Sequence, residues 1–301
     1  MSSSRTVPPD LIIRPATAQD VPRLWEVRAA TEAADPANPP PAGPPPATLS
    51  HLARTATLLA AETRDEIIGF GGRADRGGVS FLTDLFVDPA WQSSAVGSTL
   101  LGELLRGAST RRFTLASSDA RAVALYTRHD MTPRWPNFDL VGDAARWREP
   151  NGDTLLLRPA DPMEPVFVDW DERVGGRRRP EDLAFLRDEM GASFFWVGDG
   201  SEPVGYAAVW RDLRSSAPGE TLKIGPVGGT TAAAARASAL AVVAWAQQHA
   251  RKVQISVPGP HPALRELLEA GFFIDYIGTF CATASVQIDP TRYIASGEDL
   301  F

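Results

Sequence analysis

The order of apolar and polar positions along the chain predicts short strands that alternate with helices. In the first half, strands are predicted at 11–17, 57–62, 67–73, 79–88 and 111–118, and helices at 20–34, from about residue 96, and at 119–129. In the second half, strands are predicted at 204–210, 221–227 and 252–257, and helices at 232–250 and 263–271. This alternation favours an α/β fold in which helices flank a mixed, twisted sheet on both faces.

The two halves share one order of elements, which indicates an internal repeat. The string I-G-F-G-G-R of the first half is echoed by V-G-Y-A-A-V-W in the second, and the distances from these strands to the end of a later helix are 61 positions (69 to 130) and 66 positions (205 to 271). A duplicated fold explains this agreement. The polar segment 143–153 contains Pro and Gly and is the predicted junction, which gives domains 1–146 and 147–301, here called copy one and copy two.

The composition is that of a globular protein long enough for two domains, with 301 residues, 44% hydrophobic and 22% charged. No apolar run approaches the roughly 18 residues of a membrane span, and the first ten residues lack the apolar core of a signal peptide, so we expect a cytoplasmic protein without a membrane partner. The single cysteine, Cys281, cannot form an internal disulfide, and no Cys/His cluster has metal-ligand spacing, so no metal is expected.

Net charge restricts the expected partners. Copy one carries a formal charge of −1 and copy two of −6. This balance excludes the basic footprint of a nucleic-acid-binding protein. A mildly acidic surface suits a cationic amine substrate.

The segment between Val79 and Leu105 reads as a strand, a proline, a turn of small residues and the start of an amphipathic helix. The first N–H groups of a helix have no partner within it, and small side chains let an anion approach them while the helix dipole adds attraction. The segment therefore predicts an anion cradle, with ordinary packing of a helix on a strand as the alternative. The predicted lining is Gln92, Ser93, Ser94, Ala95, Val96, Gly97 and Ser98.

One strand later, a predicted helix carries A-x-x-L-Y-x-x-x-D-M from Ala122 to Met131. The spacing places Ala122, Leu125 and Tyr126 on one apolar face, so Tyr126 is either a core residue or a functional phenol. The cradle and this helix, in this order, make the functional interpretation the better one.

Together the two motifs resemble those of the GCN5-related N-acetyltransferases (GNAT). In that family Gln or Arg, two variable residues, Gly, one variable residue, and Gly or Ala wrap the pyrophosphate of acetyl-CoA. Gln92 and Gly97 match this pattern, whereas Ala95 stands where the family usually has its first glycine, which matters if the position needs a positive φ. The likeness spans about residues 11–286 and is strongest over 79–131.

The family's second pattern is N-x-x-A-x-x-L-Y-x-x-x-G-F. Ala122, Leu125 and Tyr126 match it. Asp119 replaces the asparagine, and Asp130 and Met131 replace the glycine and phenylalanine. The resemblance implies that Tyr126 is the general acid, which protonates the departing thiolate. It assigns the cofactor to Leu85, Phe86, Val87, the seven cradle residues, Asp119 and Ala122, with main-chain amides of Phe86 and Val87 holding the pantetheine and polarising the carbonyl.

Asp84 is the candidate base. Side chains alternate along the strand, so Leu82, Asp84 and Phe86 share a face and the acid interrupts an apolar row. An unpaired carboxylate there is costly to bury, which either a catalytic role or a buried partner such as an arginine would explain. The family often has an acid at this position, which favours a base that acts directly or through water.

The expected architecture is thus two tandem acyl-CoA N-acyltransferase units, with copy two degenerate. The expected activity is acetyl-CoA-dependent N-acetylation of a small or peptidic primary amine in copy one, by a monomer or homodimer. In copy two, Leu267 falls at the position of Tyr126 and Pro226 has no N–H, although Gly228, Gly229, Thr230 and Thr231 leave a residual anion site open. The alternatives are catalysis in copy two, or a non-catalytic CoA-binding sensor or scaffold.

Three further segments carry expectations. The seven prolines between Pro36 and Pro46 form a stiff flap beside the acceptor or a tolerated insertion. The run Arg177 to Arg179 is expected in a solvated loop, within a segment that resembles the entry to the second domain of tandem acetyltransferases. Leu300 and Phe301 are expected to dock in an apolar groove between the copies, which would place Glu298 and Asp299 near the acceptor cleft; the alternative is a tail that packs on copy two without a catalytic part.

Overall fold

The computed structural model describes residues 7–33, 43–148, 155–200, 202–211 and 220–301. Its contacts divide the chain into two compact units, Met1–Arg112 (unit 1) and Phe113–Phe301 (unit 2). Most of the proline-rich segment, residues 36–42, lies outside the described residues. Of the helices that the structure describes, none combines the length and apolar character that a membrane-spanning helix requires.

Unit 1 is an antiparallel sheet of four strands with three helices. The strands are β1 (Ile12–Pro15), β2 (Thr57–Thr63), β3 (Glu66–Arg76) and β4 (Val79–Val87), in the spatial order β1-β2-β3-β4. The helices are α1 (Val21–Ala33), α2 (Ala47–Thr55) and α3 (Val96–Leu105), and a 3₁₀ turn (Pro89–Trp91) links β4 to α3. The sequence did not predict α2.

Two faces of this sheet carry different helices. Ala61 and Ile68 pack with Val96 and Leu100 of α3, and Leu85 and Val87 border that core. On the other face, Phe86 stacks on Phe70, and the Arg28 guanidinium of α1 lies 5.3 Å from the Phe86 ring centre. Alternation along β4 therefore directs Asp84 and Phe86 towards α1, as the sequence predicts.

Unit 2 contains the other nine strands of the described residues, which form a mixed sheet. They are β5 (Arg112–Ala116), β6 (Thr132–Asp143), β7 (Leu156–Pro159), β8 (Ser193–Gly198), β9 (Pro203–Arg211), β10 (Thr221–Gly229), β11 (Lys252–Pro258), β12 (Phe273–Ala282) and β13 (Tyr293–Ile294). The spatial order is β5-β12-β6-β11-β10-β9-β8-β7, with β13 on β10, and β10 and β11 are parallel.

Helices pack on both faces of this sheet. They are α4 (Ala120–Thr127), α5 (Pro165–Gly175), α6 (Pro180–Asp188), α7 (Ala232–Gln247) and α8 (Leu264–Glu269). Ala207 of β9 belongs to the core with Val242 and Val243 of α7, whereas the neighbouring Tyr206 meets Phe167 of α5 with ring centres 5.1 Å apart. Consecutive strand residues face opposite sides, so α7 and α5 cover opposite faces.

The internal repeat is visible in the hydrogen bonds. Met131 donates its amide to the Tyr126 carbonyl (3.1 Å), and Phe272 donates to the Leu267 carbonyl (3.0 Å), so both helices end in the same closing bond. The residue that turns the chain there has positive φ in both copies, +67° at Asp130 and +107° at Gly271. This agreement supports the alignment of Leu267 with Tyr126.

The copies exchange their last strands within unit 2. β12, the last long strand of copy two, lies between β5 and β6 of copy one, with Thr279 opposite both Ala116 and Pro136. Conversely, β6 lies between β12 and β11 of copy two, with Ser256 opposite Asp139. Contacts therefore divide the chain at residue 112, whereas the repeat predicts a junction near 146.

Candidate active site

The candidate cofactor edge of unit 1 is the side of β4 that faces away from β3. Asp88 donates its amide to the Ile68 carbonyl of β3 at 2.9 Å. Because main-chain directions alternate in an antiparallel pair, Leu85 and Val87 point their N–H and C=O groups to the outer edge, and Phe86 points its groups to β3. Of the three predicted residues, Leu85 and Val87 have amides that point to this outer edge, whereas the Phe86 amide points to β3.

The turn after β4 holds the predicted cradle in a tight conformation. Gln92 folds its side chain back and donates from Nε2 to the Val87 carbonyl at 3.2 Å, and the Thr31 hydroxyl of α1 donates to the same oxygen at 3.1 Å. Ser93 and Ala95 both have φ of +66°. The position at which the family usually has glycine therefore does require a positive φ, and this chain meets the requirement with alanine.

The first turn of α3 presents its amides as the sequence predicts. Ala95 precedes the helix, and its carbonyl accepts from the Thr99 amide (3.0 Å) and the Ser98 hydroxyl (2.8 Å). Within the described part of the chain, no protein acceptor is recorded for the amides of Val96, Gly97 and Ser98. An ideal Cβ on Gly97 would meet only the Val87 Cγ2 atom, at 3.6 Å, so there is room for a larger side chain at this position. Together these amides can hold an anion.

Asp84 lies beside an arginine that the sequence analysis did not single out. Its carboxylate is buried, and its Oδ1 atom is 3.6 Å from Nη1 of Arg28. Arg28 also donates from Nε to Glu32 at 2.8 Å, one helical turn further along α1. The arginine partner that was one of the two explanations for a buried acid is thus present. The contact joins α1 to β4, which are distant in the sequence, so no local pattern indicates it.

The tyrosine helix α4 belongs to unit 2. Asp119 accepts the Arg121 amide at 2.8 Å and so caps the helix, while its carboxylate also pairs with the Arg121 guanidinium, which lowers the pKa of Asp119. Tyr126 is buried, with 6% of its surface exposed, and Ala122 is half-buried one turn earlier. Of the predicted residues, those of β4 and the cradle lie in unit 1, and those of α4 lie in unit 2.

Part of the chain is similar to a known family. Residues 47–134 match the model described as the acetyltransferase (GNAT) domain. This segment is therefore similar to a GNAT domain. The matched segment includes Asp84, all seven cradle residues and Tyr126, so every candidate site residue lies within it.

Solved structures extend the likeness to the whole chain at the level of the fold. A proposed acetyltransferase from Pyrococcus horikoshii is 17% identical, with a TM-score of 0.73 over 100% of this chain and 99% of that one. A GCN5-related N-acetyltransferase from Sphaerobacter thermophilus is 15% identical (TM-score 0.63, covering 92% and 96%), and a tandem GNAT protein of the clavulanic acid biosynthesis pathway is 14% identical (0.58, 93% and 100%). A comparison with curated proteins gives no match.

In copy two, other residues of the same copy occupy the edge of β10. β10 pairs with β11 over 221–224, but beyond a bulge the same edge pairs with β13, which places Tyr293 opposite Gly228. The amide of Gly229 donates to the Arg292 carbonyl at 3.1 Å and that of Thr230 to the Val204 carbonyl at 3.0 Å. These bonds take up amides of the residual anion site, so that expectation is wrong for Gly229 and Thr230.

The approach of the C-terminal segment to β10 is close. An ideal Cβ on Gly225, which has φ of +143°, would lie 2.1 Å from the Ala295 carbonyl oxygen, so the packing requires glycine. The chain's own residues thus occupy the edge of β10 that corresponds to the cofactor edge of β4.

The arginine run and the chain end pack together, which corrects the first expectation and confirms part of the second. Arg177 and Arg179 are 2% and 1% exposed, and Arg178 alone is solvated, so the run is not a solvated loop. Arg179 forms two hydrogen bonds to Asp171, at 2.8 and 2.9 Å. Phe301 is buried against Phe113 of copy one, with ring centres 4.7 Å apart, and against residues of copy two, so it docks between the copies.

Proposed function

We propose that this protein is an acetyl-CoA-dependent N-acetyltransferase whose chemistry resides in copy one. The turn from Gln92 to Ser98 carries the proposal, because the first-turn amides of α3 have no protein acceptor among the described residues. The match of residues 47–134 to the GNAT domain supports the same activity. Acetyl-CoA enters as a co-substrate that this turn and the outer edge of β4 hold.

Each residue of copy one has a distinct proposed role. The outward amides of Leu85 and Val87 hold the pantetheine and the thioester carbonyl, whose oxygen gains charge during acyl transfer. Tyr126 supplies a proton to the leaving sulfur. Asp84 stays the proposed base for the incoming ammonium, acting directly or through water; its contact with Arg28 fixes where the carboxylate lies.

Three observations favour copy one over copy two. The β10 edge of copy two is occupied by β13, the amides of Gly229 and Thr230 bond to the protein itself, and Leu267 has no proton to donate. The acceptor is a small or peptidic primary amine, which the net charge of −7 would help attract.

The cradle is tested by Gly97→Glu. A carboxylate at this position would lie in front of the first-turn amides and repel a pyrophosphate, whereas a negative charge near a helix N-terminus does not destabilise the helix. We expect acetyl-CoA binding, measured by calorimetry, to be lost with the melting temperature retained. Gly102→Glu is the matched control, because it makes the same change later in α3 at a position whose Cβ meets nothing within 4 Å. Unchanged affinity in Gly97→Glu would remove the cradle from the site.

The acid is tested by Tyr126→Phe, which keeps the ring and removes the proton. General acid catalysis contributes about 10²- to 10⁴-fold, so we expect kcat to fall by that factor while acetyl-CoA affinity holds. Thiol release from acetyl-CoA with a panel of amines measures turnover. A wild-type kcat in the variant would mean that Tyr126 is a packing residue and not the acid. If the wild-type protein binds acetyl-CoA but turns over with no amine, the sensor or scaffold is favoured.

A further inference from the structure

A side chain of copy two reaches the helix that carries the proposed acid of copy one. Strand exchange places β12 next to β5 as far as Thr279, which lies opposite Ala116. Beyond that pair, copy one leaves the sheet through Ser117 and Ser118 to begin α4, and β12 continues past this turn with Tyr276.

The Tyr276 hydroxyl accepts the amide of Ser118 at 2.9 Å. Ser118 directly precedes Asp119, whose carboxylate caps α4 by accepting the Arg121 amide. The bond from Tyr276 therefore fixes the residue at which the chain turns into the helix, and the cap fixes the first turn itself. α4 has only eight residues, so its orientation depends on such contacts at its two ends.

Tyr276 lies on the sheet beside a pair of polar residues. Tyr276 lies opposite Asp139 of β6, directly after the bulge at Asp275, and it is half-buried. Asp139 accepts the hydroxyl of Ser256, which lies opposite it on β11. Burial raises the pKa of Tyr276, so its hydroxyl stays protonated and neutral near neutral pH.

At its C-terminal end, α4 is closed by a hydrogen bond within copy one. The Met131 amide donates to the Tyr126 carbonyl at 3.1 Å, and the body of the helix packs on β6 and β12. Copy two thus supplies one hydrogen bond at the start of α4, next to the Asp119 cap of copy one, and one of the two strands beneath the helix. Copy one supplies the closing bond beside Tyr126.

We propose that Tyr276 is a positioning residue for the proton donor Tyr126 and acts through the Ser118 amide and helix α4. This inference rests on the proposed function, since it assumes that Tyr126 is the acid. Copy two thereby takes a defined part in the reaction of copy one, although the edge of its own strand β10 is occupied by β13.

Two measurements on Tyr276→Phe test the proposal. The first is hydrogen–deuterium exchange, which needs no turnover. Loss of one hydrogen bond should raise exchange over 117–127 by about 3- to 10-fold with little change elsewhere. Tyr293→Phe is the matched control, because its hydroxyl donates to the Phe301 main-chain oxygen at 3.2 Å and has no bond to α4.

The second measurement is a double-mutant cycle with Tyr126→Phe. We expect Tyr276→Phe alone to lower kcat by about 10-fold, because small misplacement of a reacting group is costly, while the KM for acetyl-CoA stays within twofold. In the Tyr126→Phe background the same change should not lower kcat further, because the hydroxyl whose position it would alter is already absent.

The outcomes separate this inference from the proposed function. Unchanged exchange over 117–127, or an equal loss of kcat in both backgrounds, would overturn the role of Tyr276 and leave Tyr126 as the acid. Wild-type kcat in Tyr126→Phe would overturn both assignments. Raised exchange together with a loss of kcat confined to the background that retains Tyr126 supports the proposal.

Discussion

Ala95 is the residue at which the cradle departs most clearly from the family pattern, and replacing it with glycine tests the structure directly. Its φ of +66° lies in the left-handed region that side chains rarely adopt. Bonds within the protein hold this turn, since the Ala95 carbonyl accepts from the Thr99 amide and the Ser98 hydroxyl, so we expect its cost to be met when the protein folds and not when the cofactor binds. We therefore expect Ala95→Gly to change stability and leave affinity almost unchanged.

The expected size follows from two opposing terms. Relief of the left-handed conformation gains about 1–2 kcal/mol, and the greater freedom of glycine in the unfolded chain costs about 0.5–1 kcal/mol. The net effect is a stabilisation of about 0.5–1 kcal/mol. A change of this size shifts the melting temperature upwards by about 1–4 °C in a protein of two ordinary domains.

The assay compares Ala95→Gly with Ala90→Gly in urea and thermal unfolding, and in calorimetry with acetyl-CoA. Ala90 lies in the 3₁₀ turn of the same loop and has no positive φ. At this position glycine only increases the freedom of the unfolded chain, so it should destabilise the protein by about 0.5–1 kcal/mol. Affinities of both variants should stay within twofold of the wild type.

Two results would refute this reasoning. A lower stability of Ala95→Gly, equal to that of Ala90→Gly, would mean that the backbone at residue 95 is not left-handed in solution. An affinity for acetyl-CoA raised more than fivefold would mean that the left-handed turn forms only on binding, so that Ala95 weakens the site after all.

Two further predictions follow from the interior of unit 2. Phe301→Ala should cost about 3–5 kcal/mol in urea unfolding, because it empties a buried site between aromatic rings, and a loss below about 1 kcal/mol would contradict the docking of the chain end. Asp171→Asn should cost about 3–5 kcal/mol, since it leaves the charge of the fully buried Arg179 without its partner, and tolerance of the change would contradict the ion pair.

The sequence was sufficient for elements whose structure is set locally. The strand before the cradle, the small-residue turn and the start of α3 were all placed, and the repeat was recognised from strand motifs and spacing. Local patterns suffice there because alternation, capping and helix periodicity involve neighbouring residues. For Ala95 the sequence raised only the question of a positive φ, because the residue stands at a glycine position of the family pattern, and the structure gives +66°.

The exchanged strands were not predicted, and the reason is physical. β6 contains Pro133 and Pro136, which argue against a strand within a sheet because proline cannot donate a ladder hydrogen bond. The choice between pairing β6 with β5 or with strands of copy two involves residues more than 100 positions apart, as in Asp139 opposite Ser256. No local signal distinguishes these partners when two copies of one fold offer similar edges.

The same limit explains the arginine run. Three consecutive arginines normally indicate a solvated surface, yet two of them are buried. Their partners, Asp171 in the preceding helix and the main chain of Leu300 and Phe301, come together only in the folded protein. A carboxylate eight residues before an arginine gives no periodic signal of the kind that marks a helical ion pair.

Strand exchange also makes copy two part of the structure of copy one. β5 and β6 of copy one do not pair with each other, because β12 lies between them. If copy two were absent, both strands would expose an unpaired edge and α4 would lose one of the strands beneath it. Fragments 1–146 and 147–301 produced separately should therefore fail to give cooperative melting, and their co-expression should restore one folded species. Independent folding of the first fragment, with acetyl-CoA-dependent turnover, would show that copy one does not need the exchanged strand.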